Sequence, residues 1–228
     1  MKAEEKAYYL GRSPWLPSID CKLAAHVAQG ERRLFRQHDR IIEAGEVINQ
    51  FYYLVQGTVR AAILNHDGSE KLLFVLTGPN ILAETAVLTG GTSLVHFIAE
   101  TDCEVIRFSK EFVEHLLEQD AELAQQMLLC MAQKTKSLVH QLAGTAMNGV
   151  EERLLRLLYI LYWEWGYEED GRKVIPRKLT HADLANATGL HRVTVSNLLS
   201  KYQKNNIMHK EKDRIIIENW IYVVERVL

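Results

Sequence analysis

The sequence predicts an α+β chain: an antiparallel jelly roll (a double-stranded β-helix), then one long helix, then a winged helix-turn-helix. Three observations lead there. Between about Arg36 and Phe108, short runs of β-branched and aromatic residues alternate with turn residues. From Lys110 to about Thr145 there is no proline and, until Gly144, no glycine. After Thr180, a small residue, a glycine and an apolar residue stand at Ala185, Gly189 and Val195, the spacing of two closely crossing helices.

The 228 residues are 47% hydrophobic and 25% charged, enough for one large core or two smaller ones. No apolar run is long enough to span a membrane, and the opening MKAEEKAYYL has no apolar signal core, so a cytoplasmic protein without a membrane partner is expected. Cys21, Cys103 and Cys130 are far apart and form no CxxC pair, which argues against a zinc finger and a disulfide framework. No metal and no cofactor is expected. The formal net charge of -2 hides an asymmetry: the stretch 176–214 holds eight Lys/Arg against three acids. That basic segment suggests a polyanion partner, although a solvated basic surface would look the same.

The first domain is expected over 1–109. DRIIEAGEVI, FYYLVQGTVRAAIL, EKLLFVL and HFIAETDCEVIRF read as strands, separated by Ala44-Gly45, Gln56-Gly57, the stretch 65–69, Gly78-Pro79 and Gly90-Gly91. A dimerisation helix and hinge are expected over 110–147. Leu128, Met131, Thr135, Leu138, Leu142 and Thr145 step by three and four, a heptad-like seam. A helix lying on the barrel could carry the same stripe; a partner helix, most simply a second copy of the chain in a twofold dimer, is favoured. GTAMNG (144–149) reads as the hinge, ERLLRLLYILYWEW as a further helix and GYEEDG as an acidic loop.

The third domain is expected over 148–228. Thr180 and Asp183 resemble a capping box, with Asp where Glu or Gln is usual. Leu184 and Ala185 face inward, Gly189 permits a left-handed turn, and Val195 and Leu198 face inward from the second helix. IMHKEKDRIII reads as strand, charged turn, strand: a wing. The second helix turns Arg192, Val193, Ser196, Asn197 and Ser200 outward. Such a small outer face suits the major groove of DNA. There Arg192 can bond guanine or a phosphate, Asn197 can pair with adenine, Ser196 is an adaptable donor, and Val193 can pack on a thymine methyl. Lys201 and Thr180 suit phosphates. His191 and Thr194 complete the candidate DNA-binding set.

A β-roll, long helix, hinge and winged helix-turn-helix in this order resemble the cyclic-AMP receptor / fumarate-nitrate regulator family of bacterial transcription factors, with its cyclic-nucleotide-binding-like first domain. The resemblance runs from about Leu34 onward. It is carried by EAGE (43–46), FYYLVQGTVR (51–60), DGSEKLLFVLTGPNILAE (67–84), CEVIRFSKEF (103–112) and the helix-turn-helix. DGSEKLL and LHRVTVS look closest to the halorespiration regulators, whose effectors are chlorinated aromatics. Cyclic-AMP binders of the family carry a Gly-Glu pair and then an Arg-Ser-Ala run that clasps the phosphate. Here Glu84 is kept, the glycine is Ala83, and the clasp positions are Leu94, Val95 and His96. Without the arginine a buried cyclic phosphate would be unpaired, so cyclic AMP is not the expected effector. The cysteine cluster of the iron–sulfur oxygen sensors is missing as well. Val193 and Asn197 replace the family's base-reading Glu and Arg, which suggests an A/T-richer palindrome.

The resemblance places the effector between the β-roll and the long helix. The candidate effector residues are Leu82, Ala83, Glu84, Leu94, His96, Lys134, Leu138 and Val139. An apolar pocket with one lysine suits an aromatic anion such as a phenolate or carboxylate; a core helix with a snorkelling lysine is the plain alternative. Glu84 could instead bond backbone amides, and His96 could be a satisfied structural group. Cys130 is expected near the dimer seam as an inert thiol, and Trp163 and Trp165 at the joint between domains. The chain is expected to be a transcription regulator that binds double-stranded promoter DNA as a homodimer under effector control, with RNA polymerase left open as a further partner. An effector-independent or cyclic-nucleotide-responsive member of the family is the alternative. A metal-dependent enzyme on the roll would need clustered ligands, whereas His66 and His96 are isolated. A sensor that binds only protein would leave the basic segment unexplained.

Overall fold

A computed structural model describes residues 11–65 and 69–227. His66, the start of DGSEKLL and the opening MKAEEKAYYL lie outside the described residues. The chain forms two compact units. One is Trp15–Thr135; among the described residues, the other joins 11–14 with 136–227.

The first unit is the roll. Its strands are β1 (Trp15–Leu16), β2 (Glu31–Phe35), β3 (Arg40–Ile42), β4 (Gln50–Gln56), β5 (Thr58–Leu64), β6 (Glu70–Thr77), β7 (Asn80–Leu82), β8 (His96–Ala99) and β9 (Cys103–Ser109). They form a five-stranded sheet, β1-β6-β5-β8-β3, and a four-stranded sheet, β2-β9-β4-β7. Apart from the parallel β1–β6 pair, neighbours are antiparallel. Both β1 and β2 precede the strand region that the sequence predicts, which starts at about Arg36. In β6, Leu72, Phe74 and Leu76 alternate inward, the period of a strand with one buried face. Phe74 and Leu76 join Phe51, Leu54, Ile81, Val105 and Phe108 in one core. Gly57 is required at the β4–β5 turn: its φ is +103°, and a Cβ would lie 2.5 Å from the Asp102 carbonyl.

Three helices follow the pattern less simply than the sequence suggests. They are α1 (Glu84–Thr89), α2 (Lys110–Gln119) and α3 (Ala121–Met147). The stretch from Lys110 to Thr145, free of helix breakers apart from Gly144, is therefore two helices. The break is at Asp120, which is extended (φ −118°, ψ 96°). Its Oδ1 accepts the N–H groups of Glu122 and Leu123 at 3.0 and 3.1 Å, the hydrogen bonds of an N-cap. Gly144 lies inside α3, so the break before the next helix is only Asn148-Gly149 and not the whole of GTAMNG. Cys130 points into the roll core and not to the exposed seam, and burial pushes its thiol pKa up.

The second unit contains α4 (Val150–Trp165), β10 (Tyr167–Glu169), β11 (Arg172–Ile175), α5 (His181–Thr188), α6 (Arg192–Lys204), β12 (Met208–Lys210), β13 (Ile215–Ile217) and α7 (Trp220–Val227). Its sheet runs β10-β11-β13-β12. The acidic "loop" GYEEDG is the first arm and turn of a hairpin. Asp170 and Gly171 have φ of 48° and 77°, the left-handed pair of a tight two-residue turn between the paired Glu169 and Arg172. Trp163 packs edge-on against Tyr159 and Tyr162, while Arg177 lies 4.0 Å over the Trp165 ring, so both tryptophans are employed within this unit. Trp220 stacks on Tyr159 from α7.

A buried carboxylate binds the unit's two chain segments together. Glu164 Oε1 accepts the N–H groups of Gly11, Arg12 and Ser13 at 3.1, 3.2 and 3.2 Å, and Oε2 accepts the Ser13 hydroxyl at 2.5 Å. The Ser13 carbonyl in turn accepts the Ser137 hydroxyl at 2.7 Å.

Candidate functional site

The helix-turn-helix is built from local chemistry. The Thr180 hydroxyl accepts the Asp183 N–H at 3.0 Å, and the Asp183 carboxylate accepts the Thr180 N–H at 2.6 Å; the capping box works with Asp in the third position. Gly189 ends α5 at φ 67°, and its N–H bonds the Ala185 carbonyl. The chain can then turn into α6, whose Val195, Leu199 and Tyr202 are buried. Leu198 is only half-buried.

What α6 leaves outside is the predicted set. His191, Arg192, Val193, Asn197 and Lys201 are exposed, and Thr194 and Ser196 are half-buried. Val193 is 70% exposed. Thr180 is exposed at the start of α5. Lys201 is not an unengaged cation: its Nζ lies 3.1 Å from Glu151 Oε2.

A groove of about 320 Å³ runs beside α6, between Ser200, Gln203 and the wing residues His209, Lys210 and Lys212, with His181 at one wall. His209 lies 3.3 Å from Glu218 and 3.6 Å from Glu211. Burial, then the fields of Lys210 and Arg192, hold the His181 imidazole below its usual pKa and therefore neutral near pH 7. These wing and groove residues were missing from the candidate set. The sequence counts Lys210 and Lys212 in the basic segment 176–214, but nothing in it places them beside α6.

In the roll, four of the eight effector candidates come together. Leu82 ends β7, Ala83 and Glu84 open α1, and all three are buried. Ala83 holds the left-handed backbone (φ 57°) that glycine favours, so the turn survives the side chain at a cost of about 1–2 kcal/mol. Lys134 on α3 donates to Glu84 Oε2 at 2.7 Å and to the Ile81 carbonyl at 2.8 Å. Its side chain is 9% exposed and that of Glu84 4%. The lysine does not snorkel, and Glu84 bonds an ammonium rather than backbone amides. Leu94 points away from any enclosure, 83% exposed. His96 opens β8 half-buried, and its Nδ1 accepts the Ala44 N–H at 3.3 Å, within the EAGE turn. Leu138 and Val139 belong to the other compact unit and are exposed.

Two family models match the chain in tandem. The cyclic nucleotide-binding domain matches residues 32–120, and the Crp-like helix-turn-helix domain matches residues 152–221. The chain belongs to the Crp/Fnr family. As a Crp/Fnr transcription regulator it pairs an effector-binding domain with a DNA-binding helix-turn-helix, and it is not an enzyme. It is 27% identical over 187 residues to the global nitrogen regulator of Synechococcus elongatus, covering 81% of this chain and 84% of that protein. The structure of CprK complexed with OCPA superposes with a TM-score of 0.80 at 26% identity, over 93% of this chain and 97% of that one. Oxidized CprK in complex with o-chlorophenolacetic acid matches at 0.51 and 25%, over 93% and 89%. Among the described residues of this Crp/Fnr regulator, no helix is long and apolar enough to cross a membrane, and no cluster of His, Cys, Asp and Glu could hold a metal ion.

Proposed function

We propose that two copies of this chain bind a palindromic, A/T-rich promoter site under the control of an aromatic anion other than cyclic AMP. In this reading 1–109 receives the effector, 110–147 dimerises and hinges, and 148–228 reads DNA. The observation that carries it is the outer face of α6. Val193, 70% exposed between Arg192 and Asn197, is unfavourable in water and well suited to a thymine methyl. A second copy of α3 is supported by the apolar seam left in water, with Leu128 at 67% and Leu142 at 70% exposure. Met131, Thr135, Leu138 and Thr145 complete that proposed interface. Effector binding would favour one orientation of the two reading helices, matching half-sites about one DNA turn apart.

The effector reading rests on what surrounds Glu84. Leu94, Val95 and His96 offer a cyclic phosphate no cation. Lys134 gives two of its three donors to Glu84 and Ile81, which leaves one N–H for a phenolate or carboxylate. CprK, in the solved complex, holds such a molecule, an acetic acid that also carries a chlorophenol. A thermal-shift screen of aromatic acids and phenols against cyclic nucleotides tests this. A rise in melting temperature with cyclic AMP alone overturns it. The effector-independent alternative is favoured by one observation: Lys134 and Glu84 already hold each other, with side chains only 9% and 4% exposed.

For DNA, Arg192→Ala and Asn197→Ala are each expected to weaken binding to the preferred palindrome by about 1–3 kcal/mol and to relax base choice at one position per half-site. Selection from a randomised duplex pool followed by anisotropy titration measures both. Unchanged affinity and unchanged base preference in both variants would remove α6 as the reading helix.

A further inference from the structure

We infer that Glu151 is a positioning residue for DNA contact, a carboxylate that holds Lys201 against α4 and withholds its charge from the phosphate backbone. Glu151 stands in the first turn of α4, two residues after Gly149. Its Oε1 accepts the Tyr222 hydroxyl at 2.7 Å, and the Lys201 ammonium donates to Oε1 and Oε2 at 3.3 and 3.1 Å. One carboxylate thus ties together α4, the reading helix α6 and the C-terminal helix α7. Burial would raise its pKa, but the Tyr222 hydroxyl and Lys201 outweigh that and keep it ionised. Tyr222 is itself fixed, with the Arg226 guanidinium 3.5 Å from its ring centroid.

An acid in a first helical turn can serve the helix dipole alone. That role asks for no partner fifty residues away gripped by both oxygens. The grip has a consequence for binding. Non-specific DNA affinity is almost entirely phosphate electrostatics, scaling with the number of phosphates that protein cations neutralise and so with the counterions released from the backbone. A lysine held by a carboxylate contributes less than a full contact until the carboxylate yields. Glu151 therefore suppresses non-specific binding and fixes where the C-terminal half of α6 presents its cation. Because α4 begins directly after Asn148-Gly149, the same grip links the chain's hinge to the reading helix.

The inference rests on the proposal that α6 faces DNA, and the test separates the two. The full chain, as wild type, Glu151→Gln, Lys201→Ala and the double variant, is titrated against a short fluorescein-labelled duplex of random sequence across a salt series. Glu151→Gln is expected to tighten binding roughly fivefold at low salt and to steepen the log–log salt slope by up to about 0.9 per protomer. In the Lys201→Ala background the same change is expected to do neither. A gain that persists without Lys201, or no gain while the fold is intact by circular dichroism, overturns the inference. Should Glu151→Gln not fold, Lys201→Ala alone decides: a held lysine costs well under about 0.9 of slope per protomer, and the full value overturns the grip. A wild-type chain that does not bind the duplex at low salt defeats the DNA reading itself.

Discussion

A Lys134→Met variant is expected to lose about 3–5 kcal/mol of unfolding free energy, because it strands the Glu84 carboxylate in the roll core. Lys134 and Glu84 sit 2.7 Å apart with almost no exposed side chain, and the ammonium also serves the Ile81 carbonyl. The pair is costly to bury and costlier to break, so the double variant Lys134→Met with Glu84→Gln should recover most of the loss. Urea titrations of the four proteins give the cycle. A single-variant loss under about 1 kcal/mol would mean that water already reaches Glu84, contrary to its burial. The same cycle bears on effector control, since any anion that uses the third Lys134 donor must share the cation with Glu84.

Glu164→Ala is expected to cost about 3 kcal/mol, since the buried Ser13 loses the acceptor of both its N–H and its hydroxyl and the half-buried Gly11 and Arg12 lose that of their N–H groups. Released from its anchor, the segment at Gly11–Pro14 should become a site of rapid cleavage in limited proteolysis. A melting curve and cleavage pattern like those of the wild type would dismiss the clasp. Glu164→Gln keeps an acceptor and isolates the charge. Burial pushes the Glu164 carboxyl above the usual carboxylate range, outweighing the hydrogen bonds that lower it. A raised folded-state pKa means the folded chain holds the proton over a range where the unfolded chain has lost it. This group's contribution to stability therefore falls as pH rises from the usual carboxylate range through the folded-state pKa. Glu164→Gln should flatten that part of the stability–pH curve, and an unchanged slope would show that another group sets it.

The elements that the sequence made legible are those whose chemistry is local. Thr180 and Asp183 bond across one helical turn, Gly189 needs only its own φ, and the alternation of Leu72, Phe74 and Leu76 needs only the pleat. Two local signals were still misread. Asp120 breaks the long helical stretch through a side-chain cap, which a search for proline and glycine does not see. Asp170-Gly171 was weighed as charge and is a hairpin turn. Of the candidate effector residues, Leu82, Ala83, Glu84 and Lys134 lie together, whereas Leu94, Leu138 and Val139 are exposed and His96 bonds the Ala44 N–H, because family position says nothing of where those side chains point.

By itself the sequence determined the order of the domains, the two crossing helices and the outward face of α6, because hydrophobic period, caps and turns act over a few residues. Only the tertiary structure decided who holds each charge: Glu84 with Lys134, Glu164 with the chain at Gly11–Ser13, Glu151 with Lys201. Those partners are fifty or more residues apart in the chain, and only the packing of the elements that carry them brings each pair within hydrogen-bond reach.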